Sequence, residues 1–159
     1  MECILSFFTK YRDALITITW VVAALGWIVT NRQSNTREKR KETRAEVDVI
    51  CKAAAEILVA CRAYYADGPG SENDDTRSAQ IAFDVKRVLS RTQRLSRKVK
   101  AFESAVPAGD EFFEAVTQEP FQSKSREKFG PRSEVLTRVE GSVHNLIDKL
   151  EEGFTKAFS

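Results

Sequence analysis

The chain has 159 residues, and its 25 basic and 23 acidic side chains leave a formal net charge of only +2. With an apolar segment at the amino end set aside, about 115 residues remain, enough for one small domain with a core of its own. No internal repeat or low-complexity tract occurs, which excludes solenoid and compositionally disordered classes.

The first predicted element is the run Ala14 to Asn31, eighteen residues without a charge. As a helix it would extend roughly 27 Å, close to the roughly 30 Å hydrocarbon thickness of a bilayer. Leu15, Ile16, Ile18, Val21, Val22, Leu25, Ile28 and Val29 together favour insertion by roughly 2 to 5 kcal/mol before Thr17, Thr19, Gly26 and Asn31 subtract from it. The expectation is therefore a single-pass transmembrane helix with a thin margin. Within it Thr19, Ala23, Gly26 and Thr30 form a row of small residues at helical spacing, suited to close packing against a second copy or another membrane protein. Trp20, Ala24, Trp27 and Asn31 run beside that row.

Charge is spread unevenly along the chain. Residues 1–31 carry two basic and two acidic side chains, residues 32–44 carry six and two, and residues 45–159 carry 17 and 19. Arg32, Arg37, Lys39, Arg40, Lys41 and Arg44 thus form a basic collar after the span, fit for the bilayer surface and its anionic headgroups. Basic flanks stay on the cytoplasmic side, which predicts an outer N-terminus and a cytoplasmic C-terminal domain at a bacterial inner membrane. Cys51 and Cys61 lie ten residues apart on one predicted helix, too far for a mutual disulfide, in keeping with a reducing compartment. The organisation expected is an N-terminal segment and anchor at 1–31, a basic juxtamembrane segment at 32–44 and a helical bundle at 45–159. It resembles that of many small bacterial membrane proteins, a likeness carried by residues 14–44 and specific to no family.

Beyond the collar every signal is helical. From Thr43 to Tyr65, Val47, Ile50, Cys51, Ala54, Ile57, Leu58, Cys61, Tyr64 and Tyr65 make one apolar stripe, which Asp67-Gly68-Pro69-Gly70 terminates. Helix two follows a heptad spacing through Ile81, Val85, Val88, Thr92, Leu95, Val99, Phe102 and Val106, with Asp74 or Asp75 as its cap and Pro107 marking its end. A short helix around Asp110 to Gln118 follows. Phe112, Phe113, Phe121 and Phe129 are placed to cover an open end of the assembly. The third long helix opens at Gly130-Pro131 and buries Val135, Leu136, Val139, Val143, Leu146, Ile147, Leu150, Phe154 and Phe158. The fold class expected is all-α: the anchor, then an antiparallel bundle of three long helices and one short one.

Chemistry-bearing patterns are sparse. His144 lies four residues from both Glu140 and Asp148, a row that reads as a solvated polar face rather than a metal site, because bundle metal sites need Glu-x-x-His pairs from two helices. Cys51 and Cys61 occupy the apolar stripe, where cysteine behaves as a small hydrophobe. Phosphate-binding glycine loops, nucleophile elbows and metal-spaced cysteine pairs are all missing. The expectation is a non-enzymatic protein with no cofactor, no metal and no small-molecule substrate.

Interaction features are stronger. Between Asp84 and Glu103, helix two carries Lys86, Arg87, Arg91, Arg94, Arg97, Lys98 and Lys100 without an anion among them. Arg87, Arg91, Arg94 and Lys98 line one face beside the seam. That face fits pairing with Glu46, Glu56, Glu134, Glu140, Glu151 and Glu152 of flanking helices, docking of an acidic partner helix, or contact with nucleic acid. No aromatic residue interleaves the cations, so a stacking platform for single strands is lacking. The leading expectation is a membrane-anchored scaffold or regulatory subunit that binds another protein or itself through helix packing. Two alternatives are a membrane-perturbing, lysis or defence-type effector acting by oligomerisation and a membrane tether for nucleic acid.

Overall fold

The computed structural model describes residues 2–70, 73–124, 127–130 and 132–159, with the backbone alone at 2–15, 17 and 29. Among the described residues the protein is entirely helical: α1 spans Glu2–Asp67, α2 Asp74–Lys98, α3 Ala105–Thr117 and α4 Glu134–Phe158, with a 3-10 turn at Lys100–Phe102 between α2 and α3. The chain divides into two units, Met1–Lys41 and Glu42–Ser159.

The first unit is α1 up to Lys41. Its described side chains are all exposed, including Trp20, Val21, Val22, Leu25 and Trp27. Thr30 Oγ1 donates to Gly26 O at 2.8 Å and Thr36 Oγ1 to Arg32 O at 2.9 Å, so these hydroxyls are satisfied by their own helix.

The expected transmembrane anchor, and with it the single-pass topology and inner-membrane location, is overturned. Among the described residues no helix is long and apolar enough to cross a membrane. α1 has the length, but an uncharged run is not the same as an apolar one. Three threonines, a glycine and an asparagine interrupt residues 14–31 and subtract from the thin insertion margin of the aliphatic residues.

The second unit is the bundle. Val47, Ile50, Ala54, Ile57, Leu58, Cys61, Tyr64 and Tyr65 of α1 are buried, so the stripe that defines this part of α1 faces the core. Ile81, Val85, Val88, Thr92 and Leu95 of α2 and Leu136, Val139, Val143, Leu146 and Leu150 of α4 meet it there. Ion pairs give the helix directions. Glu46 pairs with Arg94, and Asp67 with Arg77, so α1 and α2 run antiparallel. Arg44 pairs with Glu151 and Arg62 with Glu140, so α1 and α4 are antiparallel too. α3 packs between α2 and α4, where Glu111 accepts from Asn145 at 2.7 Å.

Helix boundaries differ from expectation where backbone geometry overrides side-chain spacing. The seam of α2 stops at Lys98, because Val99 is extended (φ −138°, ψ 105°) and the chain turns through Lys100–Phe102. Phe102 is nevertheless buried, so the heptad position is kept while the helix is broken. Pro107, expected to end helix two, is the third residue of α3. There its missing N–H is one of the donors that a helix start leaves unpaired. Asn73, not Asp74 or Asp75, stands at the N-cap of α2; the two aspartates occupy its first turn, where they complement the helix dipole. α4 begins at Glu134, capped by Ser133, whose side chain accepts from Leu136 N. Pro131 lies outside the described residues.

One end of the bundle is closed by the connection between α3 and α4. Phe121 and Phe129 pack on Tyr64 and Tyr65 with ring centroids 5.5 Å apart in each pair, and Tyr64 and Tyr65 meet each other at 5.2 Å. Two hydrogen bonds fasten the loop: Phe129 N donates to Tyr65 O at 3.1 Å and Gln122 N to Tyr64 Oη at 3.2 Å. Phe112 and Phe113 belong instead to α3, the first buried and the second half-buried.

Candidate interaction site

α1 and α2 leave a groove of about 340 Å³ along their outer side, lined by Ala53, Glu56, Ile57, Ala60, Ala63, Arg77, Gln80, Ile81, Asp84 and Arg87. Its floor is built from small and aliphatic side chains because Ala53, Ala60 and Ala63 lie next to the buried stripe of α1 and leave room that larger residues would fill. Its α2 wall is polar, bonded partly within α2 and partly to the end of α1. Gln80 Nε2 donates to Asp84 Oδ2 at 2.8 Å, Arg87 Nη2 lies 3.0 Å from Asp84 Oδ1, and Arg77 is paired with Asp67. On the α1 wall, Glu56 is exposed and its ion pair with Lys52 is a loose 3.9 Å.

Large apolar side chains border the groove. Val59, 64% exposed, stands one turn from Glu56 and Ala63; Phe83, 60% exposed, stands one turn from Gln80 and Arg87. Val49, four residues before Ala53, is also exposed. The groove thus has an apolar floor and a charged rim, and Val49, Val59 and Phe83 are exposed on the same two helices outside its lining.

The basic face of α2 is partly committed to the fold. Arg94 Nη2 is 3.0 Å from Glu46 Oε1, which fulfils the expected pairing with a flanking helix. Arg87 is paired within α2, to Asp84. Among the described residues Lys86, Arg91, Arg97 and Lys98 form no ion pair, and Lys98 lines a smaller notch of about 270 Å³ with Glu42, Thr43, Glu46, Arg94, Leu95 and Val99. Of the other acids expected as partners, Glu56 is paired with Lys52, Glu140 with Arg62, Glu151 with Arg44 and Glu152 with Lys149, and among the described residues Glu134 forms no ion pair.

The collar divides between the units. Arg32, Arg37, Lys39, Arg40 and Lys41 are exposed on the first, whereas Arg44 belongs to the bundle. Its guanidinium bonds Glu151 at 2.7 Å and Asp48 at 2.9 Å, and it sits 5.3 Å from the ring centroid of Phe154. The small row Thr19, Ala23, Gly26 and Thr30 lies on the exposed helix of the first unit.

The two cysteines are packing residues. Burial pushes the Cys61 thiol up to about 12, and burial followed by the nearby Glu151 and Asp48 charges pushes Cys51 up to about 11. Both are thiols rather than thiolates near neutral pH, hence poor nucleophiles. Cys3 lies outside the residues whose side chains are described. His144 is exposed, and among the described residues no group of three or more His, Cys, Asp or Glu could hold a metal ion.

The groove escaped sequence reasoning, which follows apolar periodicity and so finds what is buried. The available signal was Ala53, Ala60 and Ala63 flanking the stripe. No protein-family model, no curated protein and no solved structure matches this chain.

Proposed function

We propose that residues 42–159 form a non-enzymatic helical interaction module whose groove between α1 and α2 receives an acidic amphipathic helix from another protein. The observation that carries this reading is the groove's floor of small and aliphatic side chains, with Lys86 and Arg91, which form no ion pair among the described residues, standing beside and one turn beyond the lining residue Arg87 on α2. An incoming helix with small apolar side chains on one face would seat on Ala53, Ala60 and Ala63, and acids along its edge would meet Lys86 and Arg91 on α2. An enzymatic reading has less support, since the thiols are held protonated in the core and His144 stands in solvent.

The test uses the full chain and two fluorescent amphipathic peptides with the same alanine and leucine face, one bearing glutamates and the other lysines on the polar face. The acidic peptide is expected to bind, the basic one not. Ala60→Trp should abolish binding by filling the groove, and Lys86→Glu with Arg91→Glu should weaken it at least tenfold while the thermal transition of the bundle stays in place. Equal binding of both peptides, or undiminished binding to the Ala60→Trp protein, would remove the proposal.

A further inference from the structure

The first unit carries a second surface, independent of the groove. Two rows of apolar residues run along α1 there: Ile18, Val21, Leu25 and Ile28 at spacings of three, four and three, and Ile16, Trp20, Ala23 and Trp27 at four, three and four. Each is a heptad seam, and at 100° per residue the two lie nearly opposite one another, about 150° apart. Among their large side chains Trp20 and Trp27 are 73% and 70% exposed, and the others are 42% exposed or more.

The exposed apolar area, Val22 included, is on the order of 600 Å². Divided between the two sides, it gives each seam about 300 Å², well under the about 800 Å² per partner of a stable protein interface, so a single contact is marginal. A helix apolar on opposite sides is buried from both sides. One neighbour can cover only one of the two seams, so a dimer would leave the other in water.

The geometry points to further copies of this chain as the occupants: residues 16–28 associate side by side into an oligomer larger than a dimer, each helix held between two neighbours. The neighbours run antiparallel. In parallel order the net +4 of residues 32–44 would lie against itself at every contact, whereas antiparallel order sets each cationic segment beside the near-neutral amino end of the next copy. The row Thr19, Ala23, Gly26 and Thr30 lies about 60° from the seam of Ile16, Trp20 and Trp27 and shares Ala23 with it, so its small side chains leave room for a neighbour packed there.

The mass of the full chain in detergent-free buffer tests this by light scattering and sedimentation. The expected mass is at least three times the 17.9 kDa of one chain. Leu25→Glu alone and Trp20→Glu alone should each reduce the assembly to a dimer, because each spoils one seam, and the double variant should be monomeric. The bundle's thermal transition reports that residues 42–159 remain folded in all three. A monomeric wild-type chain, or variants of unchanged mass, would overturn the proposal. So would a chain that is monomeric in buffer and floats with phosphatidylcholine vesicles, since lipid would then be the occupant. In a Cys3→Ser background, oxidation that links two Gln33→Cys chains would exclude the antiparallel order; its absence supports it.

Discussion

Arg44 Nη1 stands 2.7 Å from Glu151 Oε2, joining the first residues of the bundle part of α1 to the last turns of α4. The same guanidinium reaches Asp48 and lies over Phe154, so one residue braces three neighbours. Its pKa is raised above the usual arginine value, chiefly by the hydrogen bond to Glu151. A residue that reads as one of six surface cations in the sequence thus fastens two helices together.

The stabilisation from this pair is small. Both side chains are about two-fifths exposed (42% and 43%), so solvent screens the attraction and the coupling should be about 0.2–1 kcal/mol. Arg44→Ala also loses the Asp48 and Phe154 contacts, and is expected to cost about 1–2 kcal/mol and lower the melting midpoint by several degrees. Glu151→Gln should cost less. A double-mutant cycle measures the coupling directly, and a value of zero would reduce the pair to a geometric coincidence.

Two glycines of α4 should respond in opposite directions to alanine. A Cβ on Gly153 would fall 2.7 Å from Phe102 Cδ1 and 3.0 Å from the backbone oxygen of Ala101. Both neighbours belong to the 3-10 turn, and Phe102 is fully buried, so Gly153→Ala should destabilise by about 1–3 kcal/mol. Gly141 has nothing within 4 Å of its would-be Cβ and is exposed, so Gly141→Ala should stabilise by about 0.5–1 kcal/mol through helix propensity. Chemical denaturation of the two variants checks both signs; Gly153→Ala at wild-type stability would mean that the turn yields to α4.

The contrast shows which parts of the fold the sequence makes legible. Buried stripes are, because a residue such as Val88 or Val139 declares its face through its neighbours three and four positions away. Backbone breaks within a continuing pattern are not: the spacing from Leu95 through Val99 to Phe102 is unbroken, and only the extended geometry of Val99 separates α2 from the turn. Pro107 misleads for a related reason, since proline is tolerated in the first turn of a helix as readily as it ends one. Exposed surfaces are the least legible. The groove floor of Ala53, Ala60 and Ala63 forms only when folding places α1 beside α2.

Thr92 occupies a core position of the α2 seam and is fully buried. Its hydroxyl donates to Val88 O at 3.0 Å, one turn back, so it satisfies itself within α2 rather than tying helices together. Valine has the same shape, and Val88 O keeps its place in the helix ladder without the extra donor. Thr92→Val should therefore be neutral or stabilising by up to about 1 kcal/mol. A loss greater than that would reveal a role for the hydroxyl outside α2.

The bundle should weaken in alkali through its two packed thiols. In the fold Cys51 and Cys61 give up their protons only near about 11 and about 12, whereas 9.0 is the ordinary value that an exposed thiol of the unfolded chain retains. Below pH 9 both states carry the protons and the thiols make no pH-dependent difference to stability. As pH rises above 9 the unfolded chain releases them first and binds fewer protons than the fold, so stability present at neutral pH is lost progressively toward pH 11 and 12. Unfolding midpoints of the wild type and a Cys51→Ala, Cys61→Ala double variant, followed from pH 7 to 11, isolate this contribution from lysine and tyrosine titration common to both. The double variant should begin less stable because two buried sulfurs are gone, and should fall less steeply above pH 9. Parallel curves would show that neither thiol is held protonated by the fold, and a rapid reaction of the native wild type with a thiol reagent at pH 8 would show the same by an independent route.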